Sequence, residues 1–241
     1  MKTSIFLTAE WRHLLMANYV VDPAILRPLV PSGTELDFFD EKTYLSIVGF
    51  RFIKTRVLGF TFPFHKDFEE VNLRFYVRRK IKNSWRRGVV FISELVPKWA
   101  IAFTARTFYG EPYQALPMKH HIGFNESGVQ VEYSWKRNHQ WESVQATGVG
   151  PLGAIEVGSE EEFITEHYWG YNAQSREGCE FQVEHPRWNI QQCTEYTLDA
   201  DVSKLYGNAF VESLSSQPSF TFIAEGSPIA VRGKLPFSGN S

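Results

Sequence analysis

Between residues 70 and 78 the chain alternates without a break. Val71, Leu73, Phe75 and Val77 fall on one side, and Glu70, Asn72, Arg74, Tyr76 and Arg78 on the other. A two-residue period is that of a pleated strand, so residues 71–81 are expected to form one. A polar face of this kind usually meets solvent; in a barrel that encloses a pocket it lines the inside instead. Other apolar, aromatic and β-branched runs predict strands at 34–39, 44–58, 89–96, 129–136, 180–184, 188–197, 219–224 and 229–234. Asn125-Glu126-Ser127-Gly128 reads as a hairpin turn leading into 129–136.

Helical signals are few and short. Asp22 caps, Pro23 suits the first helical position and Pro31 stops a helix over 23–30, whose Ile25, Leu26 and Leu29 share one face. Pro97 and Gly110 bracket a helix over 98–109. Ser159 with Glu162 makes a capping box that starts a helix reaching about residue 168, and a short helix follows at 200–206. No repeat or linker interrupts the pattern, so residues 1–241 are expected to form one domain. Many strands with three or four short helices define a mainly β (α+β) fold, an antiparallel barrel rather than a doubly wound sheet.

Composition narrows the function classes. Of 241 residues 43% are hydrophobic and 15% aromatic, ample for a sizeable core. The 25 basic and 27 acidic residues nearly balance, which gives no general attraction to nucleic acid or to an anionic membrane. The one basic cluster, Arg78, Arg79, Lys80, Lys82, Arg86 and Arg87, flanks Asn83 and Ser84 and reads as a solvated hairpin tip. Cys179 and Cys193 have neither metal-ligand nor redox-motif spacing. The apolar run near the N-terminus is too short for a signal peptide, and no stretch approaches the ~20 apolar residues of a membrane span. A cytoplasmic protein with reduced thiols is the expectation.

Five stretches, in order, carry a resemblance: Trp11-Arg12-His13-Leu14 with Asn18-Tyr19, Val30-Pro31-Ser32-Gly33-Thr34, Phe68-Glu69-Glu70-Val71-Asn72-Leu73-Arg74, Gly110-Glu111-Pro112-Tyr113, and Glu166-His167-Tyr168-Trp169-Gly170. Together they resemble the YqjF-like family, of unknown function, over nearly the whole chain. That resemblance implies the fold of acetoacetate decarboxylase, a cone-like antiparallel β-barrel with a buried, mostly apolar pocket. It also implies site residues. Arg12 stands ten positions before Asp22, where the decarboxylase places a pocket arginine, and Phe68-Glu69-Glu70 resembles the segment that carries its pocket glutamate. The catalytic lysine should follow a proline, yet the chain reads Pro112-Tyr113-Gln114. Schiff-base decarboxylation needs an amine activated by a lowered pKa, of which acetoacetate decarboxylase is the standing example. Neither Tyr113 nor Gln114 forms an imine, so that chemistry is excluded at this spot.

The candidate site therefore consists of Glu70 and Tyr113 as catalytic groups, with Arg12, Arg74 and Gln114 as substrate-binding ones. Arg12 suits a carboxylate through its planar fork, or else is a structural arginine beside Trp11. Glu70 is a general acid or base with a raised pKa, or a solvated carboxylate paired with Arg74 or Arg51. Tyr113 offers a phenol to an oxyanion, or caps the core beside Pro112. Arg74 is read as an ion-pair partner first and a ligand contact second. Lys119 and Lys98 are the fallback amines. The seven histidines include no His-x-x-x-His or His-Glu-x-x-His pair, and His167 reads as a packed helix histidine. Gly148-Val149-Gly150-Pro151-Leu152-Gly153 lacks the lysine and context of a nucleotide loop. No metal or cofactor is implied. The expected partner is a small organic acid, handled either by acid–base chemistry of the lyase, hydratase or isomerase type or by binding alone. Schiff-base chemistry at Lys119 is a third reading, and homo-oligomerisation is carried as an expectation.

Overall fold

The computed structural model describes residues 3–63, 65–97, 112–125, 128–172 and 178–237. The helix expected at 98–109, Lys98 with it, and part of the 125–128 turn lie outside the described residues. In chain order the elements begin with β1 (Ile5–Val21), helix α1 (Pro23–Leu26), β2 (Glu35–Leu36), β3 (Thr43–Val57), β4 (Phe68–Ile81) and β5 (Ser84–Val96). There follow β6 (Tyr113–Ala115), β7 (Met118–Asn125), β8 (Gly128–Arg137), β9 (Gln140–Gly148), β10 (Gly153–Ala154) and helix α2 (Glu160–Thr165). The chain closes with β11 (Trp169–Asn172), β12 (Gly178–Glu184), β13 (Asn189–Asp199), helices α3 (Val202–Tyr206) and α4 (Val211–Ser215), β14 (Phe220–Arg232) and β15 (Leu235–Phe237).

Hydrogen-bonded neighbours run β14, β1, β3, β4, β5, β11, β12, and β12 returns to β14 with Val183 opposite Val231 and Glu184 opposite Ala230. The result is a strongly curved, barrel-like sheet, antiparallel except where β11 and β6 join β5 in parallel. Past β14 the sheet continues through β13, β9, β8 and β7 and folds back over the outside of β1 and β3. There the fully buried Tyr133 packs on Gly49 and donates its hydroxyl to the His13 carbonyl at 2.9 Å.

Two cores result. Leu15, Ala17, Leu45, Ile47, Leu73 and Phe75 meet Val131, Tyr133 and Trp135 between the layers. Met16, Val48, Phe50, Phe52, Phe68, Tyr76, Trp188 and Phe222 fill the interior of the curved sheet, with Phe163 and Ile164 of α2 closing one end. The β4 alternation now has its explanation. Its apolar face meets the covering layer, and its polar face turns into the interior, where Glu70 and Asn72 are almost wholly buried.

Several expected elements change shape for physical reasons. α1 stops early because Pro28 has no N–H to extend the ladder, so Arg27–Leu29 tightens into a 3-10 turn. The Ser159 cap forms, with its Oγ accepting from the Glu162 N–H at 3.2 Å, while the Glu162 carboxylate reaches one residue further back to the Gly158 N–H. This helix ends at Thr165, so His167 lies beyond it and not on it. The strands expected at 219–224 and 229–234 are one strand, β14, which bends at Gly226. Gly226 has φ 78°, and a Cβ there would sit 2.0 Å from the Trp11 carbonyl oxygen, so only glycine fits. No helix among the described residues is long and apolar enough to cross a membrane.

Candidate functional site

Glu70 projects from β4 into the interior, opposite Phe50 of β3. Tyr113 reaches the same side because β6 pairs with β5 so that Tyr113 lies opposite Glu94, which itself faces Asn72 of β4. The Tyr113 hydroxyl donates to Glu70 Oε2 at 3.3 Å, and the Asn72 amide donates to Glu70 Oε1 at 3.0 Å. Burial pushes the Glu70 carboxyl up to about 7, against the Asn72 and Tyr113 hydrogen bonds and the Arg74 charge. Neither Arg74 nor Arg51 forms an ion pair with it among the described residues. A carboxyl poised near neutrality beside a phenol is equipped to give or take a proton.

Arg74 lies four residues along the same face. Its Nε is buried and without a hydrogen-bond partner among the described residues, and its guanidinium stands 5.7 Å from the Tyr76 ring. It lines a cavity of about 30 Å³ whose walls include Trp11, Phe91, Trp169, His185 and Trp188. His185 stacks on Trp188 at 4.2 Å between ring centres, and burial lowers its pKa. On the far side of Arg74, Tyr76 OH, Ser46 Oγ and Asn18 form a buried polar chain through contacts of 2.8 and 2.7 Å.

The other expected residues lie elsewhere. Arg12 shares a face of β1 with Glu10, its ion-pair partner at 2.7 Å, and reaches the Gly226 carbonyl at 3.3 Å. Strand alternation sends its neighbour Trp11 to the interior in its place. Gln114 bonds Ser93 on the face of β5 opposite to Tyr113, at 3.4 Å. Lys119 is exposed on β7, with its ammonium 4.5 Å over the Trp141 ring. The basic hairpin carries ion pairs: Arg79 and Arg86 to the buried Glu180, Arg87 to Asp37 and Arg78 to Glu35. Among the described residues no group of three or more His, Cys, Asp or Glu is arranged to hold a metal ion.

Sequence reasoning passed over one arrangement. His167, its side chain 1% exposed, sets Nε2 3.0 Å from Asp37 Oδ2, and Arg87 Nε donates to that same oxygen at 2.7 Å. Burial and the Arg87 charge hold the imidazole down at about 4, against the pull of Asp37 and the Phe163 carbonyl. Asp37 stays below the usual carboxylate range, because hydrogen bonds from His167 and Arg87 outweigh its burial. The residues are 130 positions apart, so no sequence spacing could have joined them.

The curved sheet with its covering layer has the acetoacetate decarboxylase-like fold. Solved structures agree on the fold. An enduracididine biosynthesis enzyme, MppR, complexed with pyruvate, superposes with a TM-score of 0.70 at 12% identity, covering 100% of this chain and 93% of that one. Acetoacetate decarboxylase from Legionella pneumophila superposes with a TM-score of 0.65 at 14% identity, over 97% and 87%. The chain belongs to the family of uncharacterized conserved proteins DUF2071, which it matches over residues 8–228. The uncharacterized protein YqjF of Bacillus subtilis (strain 168) is 29% identical over 208 residues, 84% of this chain and 82% of that one.

Proposed function

We propose that the chain takes a small organic acid into the interior of its curved sheet and works on it by acid–base chemistry without an imine. The carrying observation is Glu70, a carboxyl buried to 3% exposure, set near neutrality by that burial, and held between the Tyr113 phenol and the Asn72 amide. Glu70 exchanges the proton and Tyr113 steadies the oxygen on which charge develops. Arg74, in place of Arg12, supplies the cation for the acid's carboxylate. The pyruvate complex of the similarly folded MppR supports a small acid as the ligand class.

The test is a screen of hydroxy, unsaturated and keto acids by proton NMR in deuterated water, which reads hydration, elimination and isomerisation together. Glu70→Gln should abolish any turnover found, and Tyr113→Phe should lower it by about tenfold to a hundredfold. Turnover surviving in Glu70→Gln would sink the proposal. A second reading, a protein that holds the acid and leaves it unchanged, is favoured by the lining of the cavity beside Arg74, which includes neither Glu70 nor Tyr113. Binding without turnover across the screen would select it.

A further inference from the structure

We infer that the turn between β3 and β4 is a membrane-docking tip, which sets Leu58, Phe60 and Phe62 into the surface of an anionic bilayer. It uses no residue of the interior site.

Within five positions this segment exposes three large apolar side chains, Leu58 at 63%, Phe60 at 71% and Phe62 at 52%. The other exposed large apolar residues among those described come singly along the chain, as on any protein surface. The turn adds a second observation. Leu58 and Gly59 have φ of 50° and 84°. Val57 and Phe60 exchange both backbone hydrogen bonds across them, at 2.9 and 3.0 Å, which makes a two-residue hairpin of the I′ type. Its first central position suits Asn, Asp or Gly, whereas the Cβ of a leucine crowds the backbone there. The Leu58 N–H donates to the Phe6 carbonyl at 2.8 Å, so β1 holds the strained residue in place. A leucine so exposed adds little to the core, and the strain is explained by what its side chain meets outside.

Charge identifies the partner. Arg56 and Lys66 stand at the base of the tip, where the Thr55 N–H donates to the Lys66 carbonyl at 2.9 Å. Both are exposed and neither forms an ion pair among the described residues. The acids that flank the tip are engaged: Glu10 by Lys54 and Arg12 at 2.6 and 2.7 Å, Asp67 by the Lys54 N–H at 2.8 Å, and Glu69 by His120 at 2.5 Å. An apolar tip with a cationic rim matches the acyl boundary and the anionic headgroups above it. A second copy fits less well. A two-fold contact would set Arg56 and Lys66 against themselves, and three side chains fall far short of the ~800 Å² per partner of a stable dimer.

The experiment sediments the full chain with vesicles of phosphatidylcholine alone and mixed with phosphatidylserine. Binding should require the anionic lipid and should fall as salt rises from about 0.1 to 1 M, where screening shortens from ~10 to ~3 Å. Arg56→Gln should weaken it about fivefold, the share of one cation at such a surface. Leu58→Asn should weaken it about tenfold while the urea midpoint holds or rises, since asparagine suits the turn. The double change Phe60→Ser with Phe62→Ser should abolish binding, and Phe124→Ser, at an exposed apolar residue elsewhere, should leave it intact. Wild-type protein that stays in the supernatant with anionic vesicles overturns the docking tip. So does sedimentation undiminished in Leu58→Asn and in the double variant. Concentration-dependent self-association in the ultracentrifuge that Leu58→Asn removes would assign the tip to a second copy and also overturn it.

Discussion

Glu70 and Lys119 show how burial, more than residue type, decides what a side chain can do. The Glu70 carboxyl is lifted by desolvation and pulled back by its two hydrogen bonds and the Arg74 charge. Tyr113→Phe deletes one stabiliser of the ionised form, so the carboxyl should titrate higher in that variant; ¹³C NMR of labelled glutamate checks the direction. A lower value there would show that the phenol does not act on the carboxylate. Lys119 bears an amine but sits on the surface over Trp141. Borohydride reduction with pyruvate or acetoacetate, followed by peptide mapping, should leave Lys119 unmodified. An adduct at that position would restore the imine reading.

At the scale of elements, β1 and β14 carry the geometry of the cavity through a single contact. Gly226 lets β14 bend where it passes the Trp11 carbonyl, and Trp11 then turns its ring into the interior. Gly59 makes a useful control, since its φ of 84° is as unusual but no atom lies within 4 Å of the Cβ position. Gly59→Ala should cost about 1 kcal/mol, the strain of the backbone alone. Gly226→Ala should cost clearly more, measured as the difference in urea midpoint, and should shift the Trp11 indole resonance. Equal losses would mean that the close approach to β1 is relieved without cost.

For the whole molecule, two buried groups oppose one another in acid. Glu70 titrates near 7 when folded against 4.5 for the ordinary group, so the native state holds the extra proton and stability falls as pH rises from 4.5 to 7. His167 titrates near 4 when folded against 6.5, so the unfolded chain holds the extra proton and stability rises with pH from 4 to 6.5. Each is a difference of roughly 3 kcal/mol at most, and they largely cancel in the wild type. Glu70→Gln should expose a stability that only rises over pH 4 to 6.5, and His167→Gln one that falls from pH 4.5 to 7. Urea melts across that range give both slopes; parallel profiles for the two variants would contradict the opposition.

What the sequence determined by itself is local. The β4 alternation, the Ser159 cap, the Asp22-Pro23 helix start and most strand positions are written in neighbouring residues, because a two- or four-residue period needs nothing distant to be read. It also delivered Glu70 and Arg74 to one face of one strand, and the resemblance in five ordered segments supplied the fold. β1 went unread because Leu14 to Tyr19 are buried on both faces, between the interior and the covering layer, which erases the alternation. Which face of β4 is inside, whether Arg12 or Trp11 enters the cavity, and that Asp37 meets His167 were decided by tertiary structure alone. Strand register and a one-residue bulge settle such questions, and both depend on partners many positions away.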